Sequence, residues 1–150
     1  MSFAHLYYHI IFRPKNSQKV ITPNYEKDLY HYIWGFCKEK ECFLWRINSM
    51  PDHIHILVEL PPTLSVSDFV RDLKIATNSY MKAHRHEFPY FEGWGRSFCA
   101  LSCSKSQIPT VMEYIKNQKV HHAKESYADE LRKIFEINDI PYKEEFLLKD

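Results

Sequence analysis

The segment from Met50 to Leu60, Met-Pro-Asp-His-Ile-His-Ile-Leu-Val-Glu-Leu, alternates with the period of a β-strand. Side chains on a strand point to opposite faces in turn, so Ile54, Ile56, Val58 and Leu60 form one apolar row. His53 and His55 then emerge together on the other face. Burial of the apolar row sets the register of any sheet the strand joins, because a one-residue slip would expose all of it. Two imidazoles placed this way can reach a single divalent ion, imidazole being the commonest metal ligand. They can equally be two half-exposed histidines on a sheet; the pair alone leaves both readings open.

A second feature lies downstream. Ile108, Val111, Met112 and Ile115 mark an apolar stripe with helical spacing. Tyr114 and Gln118, four apart, share one face of that helix. A tyrosine one turn from a carboxamide offers a phenolic nucleophile beside a third oxygen ligand. In a chain with 10 tyrosines the spacing by itself also reads as an ordinary helix surface. The order of the two features, a His-x-His strand followed by a Tyr-x-x-x-Gln helix, is the rarer observation.

The rest of the chain supplies a frame for both. Residues 3–13 alternate as a first strand, with Leu6, Tyr8, Ile10 and Phe12 on one face and Tyr7, His9, Ile11 and Arg13 on the other. Thr22 before Pro23 predicts a helix start, with the helix running to about 40. Strands are expected at 42–49 and 52–60, turning at Ser49-Met50-Pro51. Ser65 or Ser67 caps a second helix to about 86. An aromatic loop, Phe88 to Gly95, precedes a fourth strand at 96–103. Helices follow at about 106–122 and 124–137, then a partly extended tail. This order matches the ferredoxin-like pattern: an α+β fold whose four-stranded antiparallel sheet carries helices on one face, plus a C-terminal catalytic helix. In that arrangement His53 and His55 fall on the open face.

Composition narrows the class. At 150 residues the chain is expected to be a single domain, 1–150. No apolar run is long enough to span a membrane, and no secretory leader is visible. Cys37, Cys42, Cys99 and Cys103 lack zinc-ribbon spacing and read as reduced thiols of a cytoplasmic protein. The net charge is only +1, but residues 125–150 carry −4, which leaves +5 on the body. That balance suits contact with a few phosphates.

The chain resembles the single-tyrosine HUH transposases of IS200/IS605-type insertion sequences. The resemblance rests chiefly on Met-Pro-Asp-His-Ile-His at 50–55. It extends over Tyr8–Phe12, Leu64–Ser67, Trp94–Phe98, Tyr114–Gln118, His121-His122 and Ile140–Leu147. The chain departs from it at Ile75-Ala76, where the family often carries a glycine. The resemblance implies a transposase that cuts and rejoins single-stranded DNA at hairpin-bearing element ends. Tyr114 would be the nucleophile, forming a 5′-phosphotyrosine and leaving a free 3′-OH. His53, His55 and Gln118 would hold Mg²⁺ or Mn²⁺, with no nucleotide cofactor. It also implies a homodimer, in many members of which the tyrosine helix of one subunit completes the metal site of the other. The outer face of the first strand is a plausible pairing edge.

Arg13, Lys15, Arg71, Lys74, Lys82, Arg85 and Arg96 are candidate phosphate contacts. His9 reads as structural or DNA-facing, and His121 and His122 as a solvated helix end or as metal or DNA contacts. Phe88, Tyr90, Phe91 and Trp94 are expected in the core, with base stacking the alternative. A host-retained relative that processes repeated hairpin DNA would show the same residues. A histidine-triad hydrolase needs a histidine where Leu57 stands. A non-catalytic nucleic-acid binder of this fold would carry aromatics where the strand offers His53 and His55.

Overall fold

A computed structural model of the chain describes residues 3–148. The strands are β1 (Leu6–Phe12), β2 (Phe43–Met50), β3 (His53–Leu60) and β4 (Cys99–Cys103). The helices are α1 (Glu26–Glu39), α2 (Val66–Ala83), α3 (Ile108–Lys116), α4 (Gln118–His121) and α5 (Tyr127–Ile137). The strands make one antiparallel sheet in the order β2-β3-β1-β4, the ferredoxin-like path expected. β1 is therefore an interior strand, paired on both sides, and cannot offer the pairing edge anticipated for it. The edges are β2 and β4.

Register aligns the two alternating patterns. Ile11 sits opposite His55, and Phe12 opposite Ile54. Ile10, Phe12, Ile54, Ile56, Val58 and Leu60 consequently form one surface, buried with Leu29, Ile33 and Phe36 of α1 and Phe69, Val70 and Leu73 of α2. The opposite surface carries the histidines, and it is not open. Tyr7 and Leu57 pack with Ile108 and Ile115 of α3, and Ile11 packs with Tyr127, Leu131 and Ile134 of α5. Tyr7, Ile11 and Leu57 make that surface half apolar, and the apolar stripes of α3 and α5 cover it.

Several boundaries differ from expectation for local reasons. The helix expected over 106–122 breaks at Asn117 (φ −92°, ψ 15°). Asn48 Nδ2 donates to the carbonyls of Ile115 (2.9 Å) and Lys116 (3.2 Å), satisfying acceptors that a helix end leaves open. The break turns Gln118 inward, where it is fully buried. α5 starts three residues later than expected because Ser126 caps it, accepting from Asp129 N at 3.2 Å. Ser65 caps α2 in the same way, whereas Thr22 makes no side-chain cap bond. α2 ends at Ala83, β4 covers only Cys99–Cys103, and the β2–β3 turn falls at Pro51-Asp52. In the aromatic loop Phe88 and Phe91 are fully buried and Trp94 Nε1 donates to Thr77 Oγ1 (2.9 Å), leaving Tyr90 exposed. No helix among the described residues is long and apolar enough to cross a membrane.

Candidate active site

β3 places His53 and His55 side by side, ring centroids 5.2 Å apart, both fully buried. A partner on the Nδ1 of each ring orients it. His53 Nδ1 donates to Asp52 Oδ1 at 2.7 Å. His55 Nδ1 shares a hydrogen bond of 2.8 Å with Nε2 of His9, the diagonal neighbour on β1. Both Nε2 atoms therefore face the same point, and a carboxylate stands there. Glu130 of α5 brings Oε1 to 3.3 Å from His53 Nε2 and 3.2 Å from His55 Nε2. His122 Nε2 reaches the same oxygen at 3.0 Å, its Nδ1 donating to Glu125 O.

The other carboxylate oxygen gathers the remaining residues of interest. The Tyr114 hydroxyl donates to Glu130 Oε2, and Gln118 Nε2 donates to it at 2.8 Å. The carboxamide oxygen of Gln118 lies 3.3 Å from His53 Nε2. Tyr114, Gln118, His53 and His55 are thus brought together within one chain. Tyr114 is half-buried, beside the ring of His121 at 5.0 Å; the histidines, Gln118 and Glu130 are inaccessible. Tyr127 seals the far side of His53 with a stacked ring at 4.1 Å.

The electrostatics follow from burial and from the single negative charge. Burial alone would raise the Glu130 carboxyl pKa, but hydrogen bonds from His122, His53 and His55 outweigh it and hold the group ionised far below its usual range. Burial opposes the charge on His53, yet Asp52 and Glu130 together raise its pKa. His55, more deeply buried, stays below its usual value despite Glu130. Burial and then His55 push His9 down to about 3, so it is neutral. The Tyr114 phenol is pushed upward, by burial first and then by the Glu130 charge.

His53, His55 and Glu130 present one ligand atom each, all within 4.8 Å of one another, and this buried set fits a divalent metal site. Asp52 and His9 hold the Nδ1 atom of each ring, so both Nε2 atoms would face an ion once their protons are lost, the usual outer support of metal-bound histidine. Asp52→Asn or His9→Ala is expected to weaken metal binding by about 10–100-fold, read by titration calorimetry.

Other expected contacts are rearranged. Lys74 Nζ donates to the carbonyls of Gly95 (2.8 Å), Ser97 (3.1 Å) and Arg96 (3.3 Å), tying α2 to the loop before β4 rather than reaching for phosphate. Arg13 is 2% exposed and donates to Ser17 Oγ, so it is no surface contact either. Lys15, Lys82, Arg85 and Arg96 are exposed, as is Arg71, which pairs with Asp68 and Asp72. The four cysteines are free thiols; burial raises Cys37 to about 12 and Cys99 to about 11.

Sequence reasoning missed Glu130. A signal existed: Tyr127, Leu131 and Ile134 set the buried stripe of α5, and Glu130 falls within it, three residues from Tyr127 and four from Ile134. A carboxylate on an apolar stripe is rarely buried without a partner. The supporting role of Asp52 had no such signal, since any residue before a strand can be polar.

A ferredoxin-like sheet with two strand histidines, a buried carboxylate and a tyrosine on a facing helix defines an HUH-type arrangement. The family model described as "Transposase IS200 like" matches residues 2–118, and the chain belongs to that family. The match ends at Gln118, so α5 and Glu130 lie beyond it. Similar proteins include the transposase for insertion sequence element IS200 of Salmonella typhimurium, 29% identical over 115 residues (74% of this chain, 75% of the relative). The ISDra2 transposase TnpA of Deinococcus radiodurans is 26% identical over 120 residues (75% and 84%). A crystal structure of a candidate transposase from Deinococcus radiodurans R1 superposes with a TM-score of 0.61 at 27% identity, over 78% of this chain and 93% of that one. A REP-associated tyrosine transposase bound to a REP hairpin shares the fold, with a TM-score of 0.57 at 17% identity over 81% and 74%. The protein is an IS200-type transposase.

Proposed function

We propose that this transposase cuts and rejoins single-stranded DNA at hairpin-bearing element ends, using a divalent metal and a 5′-phosphotyrosine intermediate on Tyr114. One observation carries the reading: the phenol of Tyr114 and both strand histidines converge on the same buried carboxylate, Glu130. A bare structural tyrosine has no need of that company. The whole chain, 1–150, acts as one domain in this reading, since α5 supplies Glu130.

His53, His55 and Glu130 would hold the ion, with the carboxamide oxygen of Gln118 adjacent on His53. A bound ion supplies Lewis-acid polarisation of the scissile phosphate and favours the phenolate. Mg²⁺ or Mn²⁺ serves such chemistry, and two imidazoles with one carboxylate suit Mn²⁺ better than Mg²⁺. Calorimetric titration is expected to show tighter binding of Mn²⁺ than of Mg²⁺. Affinity for either ion should fall as pH drops through the raised His53 pKa, above 6.5, because the ligand nitrogens must be deprotonated.

The chain's own residues account for the covalent step. Tyr114 Oη attacks phosphorus, the bond from phosphorus to the 3′ oxygen breaks, and that oxygen leaves as a 3′-OH after taking a proton from solvent. Glu130 Oε2 is the atom in place to receive the phenolic proton. Its resting carboxylate is a weak base, so transfer accompanies formation of the new bond, when that proton becomes acidic. Gln118 Nε2 holds the same oxygen in line. DNA approaches from the side of Tyr114, the least buried member of the cluster. Reversal by a second 3′-OH rejoins the strand without an external energy source. The homodimer implied by resemblance would use the edges at β2 or β4.

The test is incubation with 5′- and 3′-labelled single-stranded hairpin DNA from the flanks of the gene, with Mn²⁺ or Mg²⁺. A denaturing gel should show a metal-dependent protein adduct carrying the 3′ side of the cut. Tight binding with no adduct on any flank would replace the transposase reaction with simple binding.

A further inference from the structure

A cavity of about 640 Å³ opens between α5, the β1–β4 half of the sheet and the segment that follows α5. Its walls carry the rings of Phe98, Tyr127, Phe135, Tyr142 and Phe146. The transposase chemistry described above uses none of these residues.

Three features define what fits there. The cavity adjoins the candidate active site, because Tyr127 both lines it and stacks on His53 at 4.1 Å. An occupant therefore lies one aromatic ring away from the histidine pair. The lining is mainly aromatic and apolar, which suits a flat π-system. A bare phosphate would not need the rings. Finally, the cavity shares Phe98 with a second groove of about 430 Å³ that carries Arg71, Arg96 and Asn78. A cationic groove leading into an aromatic cavity is the pattern of a surface that tracks a sugar-phosphate backbone and stacks its bases.

We propose that this cavity holds one unpaired nucleobase of the DNA strand, next to the scissile phosphate. The inference rests on the reading of the chain as acting on single-stranded DNA. The volume falls within the roughly 300–1,000 Å³ of ordinary ligand sites. Phe135 and Tyr142, with ring centroids 5.4 Å apart, supply stacking surface that every base can use. The segment around Tyr142 lies outside the region matched by the family model, so one wall of the site is supplied by this chain's C-terminal part and the other, from β1 and the start of β4, by the matched region.

Photo-cross-linking with a fluorescein-labelled oligothymidine carrying 5-iododeoxyuridine tests the site, with cross-linked peptides identified by mass spectrometry. Cross-links at Tyr142 or Phe98 are expected. Fluorescence anisotropy should show binding weakened about tenfold by Tyr142→Leu and retained by Tyr142→Phe, which keeps the ring. A blunt hairpin without a single-stranded flank should bind both variants as it binds wild type. Cross-links confined to other surfaces, cross-links only between two protein copies, or equal strand binding by Tyr142→Leu and wild type would each overturn the proposal. The adduct assay run in parallel separates the two readings. Normal adduct with an indifferent Tyr142→Leu removes the base site and leaves the transposase reaction. Strand cross-linked in the cavity without any adduct supports the base site and removes the reaction.

Discussion

Tyr114→Phe is expected to abolish the covalent protein–DNA adduct and all rejoined product, a loss of at least about a thousandfold, while leaving the fold intact. The substitution removes one oxygen and keeps the ring that lies near His9, His55 and His121. It also leaves one acceptor position on Glu130 Oε2 open, while Gln118 Nε2 and the three imidazoles remain in place. Metal affinity should therefore change little. DNA binding measured by anisotropy should be retained. Adduct formation by the variant at the wild-type rate would remove Tyr114 from the chemistry and turn attention to another hydroxyl.

Glu130→Ala has the largest expected effect on stability. Five side chains meet its carboxylate: His53, His55 and His122 at Oε1, Tyr114 and Gln118 at Oε2. Removing one partner from a buried charged network costs about 3–5 kcal/mol because the rest are left without compensation. For a chain of this size that corresponds to a fall in Tm on the order of 6–20 °C. Calorimetry in EDTA would measure it without the contribution of bound metal.

The pH dependence of that difference has a defined sign. The folded-state pKa of Glu130 is lowered, so its contribution is full above the unfolded value near 4.5 and declines as pH falls below it. The folded-state pKa of His53 is raised, so its contribution is present below 6.5 and is lost as pH rises through the raised value. The gap between wild type and Glu130→Ala should therefore be widest between about pH 4.5 and 6.5. A gap that stays constant from pH 4 to 9 would show that the ionic network contributes nothing. Glu130→Gln, which keeps the shape and two hydrogen-bonding positions, should recover part of the stability but not the metal affinity.

The elements that periodicity marks strongly were readable in advance. β3 follows from Ile54, Ile56, Val58 and Leu60, and its alternation alone puts His53 and His55 on one face. The helix carrying Tyr114 follows from Ile108, Met112 and Ile115, and Ser65 and the proline of residues 61 and 62 bound α2. The sheet order then follows from the βαββαβ path. Less readable was which surface would be covered. The apolar residues Tyr7, Ile11 and Leu57 are interleaved with the histidines, and alternation treats such a row as a solvent face.

The break at Asn117 could not be read locally either. Its cause is Asn48, a residue on β2 that reaches the last carbonyls of α3 from across the chain. The same is true of Lys74 and Arg13. Each looks like a free cation in the sequence, and each is drawn inward by partners set by chain path rather than by neighbours.

Local pattern therefore established the His-x-His strand, the Tyr-x-x-x-Gln spacing and the ferredoxin-like order of elements, because period and capping act over a few residues. The folded chain established the carboxylate. Glu130 becomes a site residue only because α5 packs across the sheet and sets it against His53 and His55, residues distant in sequence. Burial and convergent charge, which no local pattern encodes, then fix how these groups ionise.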